Sequence, residues 1–204
     1  MKKLIFGLLI STVLAGQAQA FDIKKYITPG DLKTLRYGFS TSLGVVKPAE
    51  PDGDTALASD LTIFNGIATM RFKKNNQRLW ADVSYQYFSV SATEDEIGQD
   101  VSRLRAAVLF QKHMQLSGQK FWAGAGGGLI YERADIRHTI DSSGFLKEKF
   151  EVRNTFDIAG MVNAQMPLMR FRLGVPVEMG FHTSLELSLT TMAPALNIGA
   201  NFMF

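Results

Sequence analysis

The chain has 204 residues, 46% of them hydrophobic, with 22 basic and 19 acidic side chains and no cysteine. The missing cysteine excludes disulfide staples, thiolate metal sites and a cysteine nucleophile. The formal net charge is +3, and it falls to about +1 without Lys2 and Lys3, which leaves no nucleic-acid footprint.

The N-terminus places Lys2 and Lys3 before an apolar run from Leu4 to Gly16, followed by Ala18-Gln19-Ala20. This is the pattern of a secretory signal peptide, with cleavage expected before Phe21. Removing the two lysines brings basic and acidic residues close to parity. No later run of about 18 apolar residues marks a membrane helix. An exported, hydrophobic chain without membrane helices fits either a soluble β-rich domain or a closed barrel, which satisfies all its backbone groups in lipid.

Residue parity then reveals the elements. In the first, Leu35, Tyr37, Phe39, Thr41, Leu43 and Val45 alternate with Arg36, Gly38, Ser40, Ser42 and Gly44, the period of a two-faced strand. The second sets Phe64, Ala68, Met70 and Phe72 against Asn65, Thr69 and Arg71, with Ile63 and Ile67 on the polar side. The third sets Leu79, Ala81, Val83, Tyr85 and Tyr87 against Arg78, Trp80, Asp82, Ser84 and Gln86. In the fourth, Leu104, Ala106, Val108 and Phe110 oppose Arg103, Arg105 and Gln111.

The fifth begins at Phe121 and reads FWAGAGGGLIYERADI. Its glycines are not a phosphate loop, because no Gly-Lys-Ser/Thr follows, and Leu129 breaks the dinucleotide pattern. Gly124, Gly126 and Gly128 share a face with Glu132. A turn between Met114 and Ser117 would set Gly126 opposite Arg105 and Gly128 opposite Arg103, so these glycines are expected to clear space for the arginines.

A sixth strand near 150 sets Phe150, Val152, Phe156, Ile158, Val162 and Ala164 against Glu151, Arg153, Thr155 and Asp157. The seventh runs from Met169 through Phe181, opposing Arg170, Arg172, Glu178 and His182. The eighth is ALNIGANFMF, with Leu196, Ile198, Ala200, Phe202 and Phe204 on one face. The connections starting at Lys73, His113 and Gln165 are short. Those starting at Lys47, Ser91, His138 and Thr183 are longer, and the second of these carries Glu94, Asp95, Glu96 and Asp100 as a solvated acidic tip. Alternation by itself also suits a soluble sandwich or lipocalin, with the apolar face inward.

The end of the chain separates these readings. Its last ten residues resemble the C-terminal signal of bacterial outer-membrane barrels, and the glycine strand resembles that of small barrels of the OmpA/OmpW type. The resemblance implies an all-β, eight-stranded antiparallel up-and-down transmembrane barrel at 35–204, after a signal peptide at 1–20 and a short periplasmic segment at 21–34. It makes the charged face the lumen. Arg36, Asp82, Arg103, Arg105, Glu132, Glu151, Arg153, Asp157, Arg170, Arg172 and Glu178 would share that interior as an ion-pair network, because isolated buried charges cost several kcal/mol each.

The expected function is non-enzymatic: a polar, largely plugged barrel serving envelope integrity or surface interaction, with no cofactor, metal or nucleic acid. Implied partners are outer-membrane lipid, lipopolysaccharide and the barrel-assembly machinery, the last through Phe202 and Phe204. An OmpW-like conduit for small hydrophobic molecules is an alternative that requires an apolar cavity or lateral gap. His182-x-Ser184 resembles the His-x-Ser of PagL-type lipid A deacylases. Leu185 stands where that family has Asn, Leu196 lies near its glutamate position, and Glu186 comes too early. His113, His138 and His182 lack the close spacing of a zinc motif.

Overall fold

The computed structural model describes residues 29–46, 58–72, 76–90, 98–142, 145–190 and 194–204. The expected signal peptide and the acidic residues Glu94, Asp95 and Glu96 lie outside them. A short helix, α1 (Pro29–Leu32), precedes eight strands: β1 (Arg36–Val46), β2 (Ala58–Phe72), β3 (Gln77–Val90), β4 (Gly98–Leu116), β5 (Gln119–Ser142), β6 (Phe145–Leu173), β7 (Val175–Ser188) and β8 (Pro194–Met203). Each pairs antiparallel with the next, and β8 pairs back onto β1, closing the ring. The eight-stranded up-and-down barrel is the architecture that the strand count and the resemblance together imply.

Strand polarity follows from residue size and charge. Tyr37, Leu43, Phe64, Phe156 and Ile198 point out from the wall, and Phe156 is 79% exposed. Their partners in alternation, among them Ser40, Asp82, Ser84, Gln86, Arg103 and Arg105, are buried inside. The inverted arrangement of a soluble sandwich would reverse these sets. On β5 the outward aromatics Phe121 and Tyr131 stand ten residues apart. That spacing is about 33 Å along a strand and about 25 Å across a barrel with tilted strands, the height of an apolar membrane band.

Two bulges interrupt the simple alternation. A bulge between Thr62 and Phe64 lets Thr62 and Asn65 both face inward. This is why alternation in β2 looks weak; Ile67, in phase with Asn65 and Thr69, is buried in the lumen among Trp80, Leu109 and Met161. A second bulge lies between Pro167 and Met169. The segment from Gln165 is therefore no turn: β6 continues to Leu173, and the chain reverses at Gly174, whose φ of 72° suits glycine. The predicted seventh strand is thus the two arms of one hairpin. The long connections expected from His138 and Thr183 are also largely strand. β5 and β6 stay paired up to Ser142 and Phe145, and β7 runs to Ser188.

The glycines of β5 do face the lumen side, but their neighbours differ from the expectation. The β4–β5 turn lies at Ser117 and Gly118, both with positive φ, the two-residue hairpin geometry that matches strand twist. This register sets Arg103 opposite Glu132 and Arg105 opposite Ile130, while Gly126 faces Leu109 and Gly128 faces Ala107. A Cβ on Gly126 would overlap the Val108 carbonyl oxygen and come within 2.7 Å of the Leu109 Cα. The space is taken by the coiled backbone of β4, not by arginine side chains.

The lumen is layered. Nearest the long connections, Val46, Phe88, Val101, Ala134, Ile136 and Ala195 form an apolar cluster. Nearer the short turns lies a second, of Ile67, Trp80, Ala107, Leu109, Met161 and Met203. The interior is therefore less uniformly polar than the charged face suggests.

Gly126→Leu is expected to abolish heat-modifiable folding on gels. Gly66→Ala, whose new Cβ would meet nothing closer than the Phe64 ring at 3.5 Å, should stay within about 0.5 kcal/mol of the parent. Both are read by urea titration in detergent micelles.

Candidate functional site

Between the two apolar layers, strands from opposite walls bring charge together. Arg103 and Arg105 project inward from β4, two residues apart. Glu186, fully buried on β7, receives both: Arg103 donates to its Oε1, and Arg105 Nη1 lies 3.3 Å from its Oε2. Because β4 and β7 are not neighbours in the ring, these contacts cross the lumen. Arg105 also bonds Asp82 at 2.8 Å, and Arg103 lies 3.8 Å from Glu132. The Asp82 carboxylate further accepts from Trp80 Nε1 at 2.8 Å. Gln86 extends the chain of contacts, accepting from Arg103 at 3.5 Å and donating to Thr62 Oγ1 at 3.0 Å.

The other expected members of the network sit elsewhere. Glu178 forms a separate group at the short-turn end, with Arg36 at 3.3 Å and Arg170 at 2.8 Å. Arg172 is exposed at the rim beside the Gly174 turn, although its pairing with Pro176 keeps it in phase with Arg170 and Glu178. Glu151 and Arg153 pair with each other at 3.4 Å, half-exposed. They lie where β6 has passed the end of β7, whose pairing with β6 begins at Ala159 and Ser188. Asp157 is buried but accepts from Ser188, from Thr190 at 2.6 Å and from the Ile158 amide at 2.6 Å. It braces the connection leaving β7 rather than neutralising an arginine.

Sequence reasoning assigns Glu186 only to the hydrolase comparison, although its parity with His182 and Ser184 already places it inside. Arg78 is a second omission. It is buried and donates to Gln111 and Gln165. Its guanidinium lies 4.4 Å from the Trp122 ring centroid and 5.2 Å from that of Trp80, cation–π geometry.

His182 and Ser184 are buried in the lumen and line, with Asp82, Arg105 and Asn163, a cavity of about 10 Å³, at most the space of one water. Among the described residues no group of His, Asp and Glu could hold a metal ion. A larger apolar hollow of about 850 Å³ involves Ala68, Ala81, Val83, Ala106, Val108 and Gly127 on the outward face. Behind it the ladders are continuous, with Ala68 paired to Ala81, Ala81 to Val108 and Val108 to Gly127. The hollow is a depression in the wall and not a gap through it. Phe202 stacks on Phe39 with centroids 5.2 Å apart, and Phe204 approaches the same ring at 5.9 Å, joining the ends of the barrel on its outer face.

No protein-family model matches the chain, and no curated protein matches it. Among solved structures, Ail, the attachment invasion locus protein of Yersinia pestis, in complex with the heparin analogue sucrose octasulfate, aligns with a TM-score of 0.53 at 15% identity. The match covers 83% of this chain and 97% of that one. A second structure of Ail gives 0.53 at 13% identity with the same coverage. For Neisserial surface protein A the match covers 83% of this chain and 96% of that one, at 10% identity and a TM-score of 0.43. At these identities the likeness to Ail is one of fold. The chain has the fold of the small eight-stranded outer-membrane barrels.

Glu186→Gln removes the shared counter-charge of two buried arginines and should cost about 3–5 kcal/mol. Glu151→Gln, in a half-exposed pair, should cost less than about 1 kcal/mol. Urea unfolding in micelles distinguishes the two sites.

Proposed function

We propose that this chain is a non-enzymatic barrel of the bacterial outer membrane whose lumen is closed by packed side chains, and that it serves envelope integrity or surface interaction. The observation that carries this reading is the buried group of Arg103, Arg105, Glu186 and Asp82, held between two apolar layers. Water passing through would have to separate those ion pairs and cross both layers. The apolar outer face, tall enough for a membrane band, supports the location. Export and removal of residues 1–20 belong to the same proposal, as do contacts with outer-membrane lipid and lipopolysaccharide.

Surface interaction is supported by the β5–β6 hairpin. Its strands of 24 and 29 residues carry the backbone well beyond the end of β7. The fold is shared with a protein named for attachment and invasion. The conduit reading has the outer hollow on its side, but the unbroken ladders behind it offer no lateral route to the lumen. The deacylase reading has little support. Ser184 and His182 point into the barrel, away from lipid, and Glu186 is occupied by two arginines.

In planar bilayers the folded protein should show very low conductance; a large, stable open channel would overturn the closed-lumen reading. Phe204→Ser should lower the amount assembled in cells while the purified chain still refolds in detergent, since Phe204 is offered here as a recognition feature for the assembly machinery. Equal assembly of the variant and the parent would remove that role.

A further inference from the structure

The short-turn end of the lumen carries an imbalance of charge that the ion pairs above leave unresolved. Arg71 on β2 and Arg78 on β3 are direct cross-strand partners, Arg78 buried in the lumen and Arg71 exposed at its mouth. Like charges in that position repel. Both guanidiniums also approach one indole, with Arg78 at 4.4 Å and Arg71 at 5.7 Å from the Trp122 centroid. Their hydrogen-bond partners are neutral amides: Gln111 and Gln165 for Arg78, and Asn76 at 3.3 Å for Arg71. Among the described residues neither forms an ion pair with a carboxylate. Glu178, the acidic residue of this end, is already engaged by Arg36 and Arg170, and Asp31 of α1 has partners of its own.

We propose that the Arg71–Arg78 pair is a binding site for a phosphate-class oxyanion at the short-turn mouth of the barrel. Two guanidinium forks offer paired N–H donors to one anion. A carboxylate can bridge two guanidiniums by lending one oxygen to each, as Glu186 does, whereas a phosphate has oxygens enough to meet each fork with a pair. A phosphate bound there would turn a repulsive cross-strand contact into a bridged one, with Arg78 already held by the two glutamines and Arg71 reaching in from the exposed side. The phosphate group could belong to free phosphate or to a phospholipid headgroup; the site chemistry is the same.

The chain contains two tryptophans, and Arg78 lies over both, so their fluorescence reports on this site. The protein folded in zwitterionic micelles is titrated with sodium phosphate at constant ionic strength, with sodium chloride as reference. Equilibrium dialysis with labelled phosphate guards against optically silent binding. A saturable response to phosphate and none to chloride is expected. Arg71→Gln should weaken it at least tenfold, Arg71→Lys less, and Arg133→Gln, on the far outer face, not at all. Heat-modifiable migration confirms that each variant is folded, and Arg71 is the chosen position because Arg78 is buried. A second arm compares vesicles containing phosphatidylglycerol with vesicles of phosphatidylcholine alone. A response confined to phosphatidylglycerol assigns the headgroup as the source, and a response to free phosphate in either lipid assigns the soluble ion. Absence of both responses, or a response unchanged in Arg71→Gln, overturns the proposal without touching the closed-lumen reading, which rests on different residues.

Discussion

An arginine withdrawn from water must meet its counter-charge, and the middle of this barrel is arranged around that demand. Arg103 and Arg105 leave one wall together, and Glu186 reaches them from a non-adjacent strand. Asp82 and Glu132 complete the group from the strands on either side of β4. Desolvation on this scale costs several kcal/mol per ion before pairing. The contacts therefore have to hold together, and they tie opposite walls at a fixed distance. The apolar clusters above and below keep water from competing for the same hydrogen bonds, which strengthens each pair in turn.

The same economy of space explains the backbone. Eight strands enclose an interior that side chains just fill, so there is little tolerance where neighbouring strands coil against each other. The β4–β5 contact meets that limit with glycines at 124, 126 and 128, whose missing side chains admit the carbonyls of Phe110, Val108 and Ala106. A feature that looks like ligand chemistry in the sequence is a consequence of curvature.

Much of the architecture was legible from parity, because a two-residue period survives over a whole strand and needs no knowledge of neighbours. What parity could not supply was its own interruptions. A single extra residue at Ile63 or near Leu168 exchanges the two faces. Pro167 followed by a fresh alternating run looks like a turn and a new strand, although the reversal waits for Gly174. Arg172 lies outside the lumen because it stands at the rim beside that reversal, not because its face is exchanged. A shift of the β4–β5 turn toward Gly118 moves Arg103 from a glycine to Glu132. The pairing of Glu186 with β4 was beyond sequence patterning altogether, since it depends on which walls face each other across a closed ring. Arg71 and Arg78, by contrast, flank a short turn, and their opposition could be read from hairpin register alone.

Closure has a consequence in time as well as in space. Seven of the eight ladders join strands that follow one another along the chain, and these can form as local hairpins with little loop entropy to overcome. The eighth joins β1 to β8, and its contacts, such as Arg36 with the Phe204 carbonyl oxygen, bridge 168 positions of sequence. Until that last ladder forms, two strand edges stand open and the lumen charges face an incomplete wall. The final ten residues thus act as a latch, and folding of the whole barrel is gated by the arrival of its end.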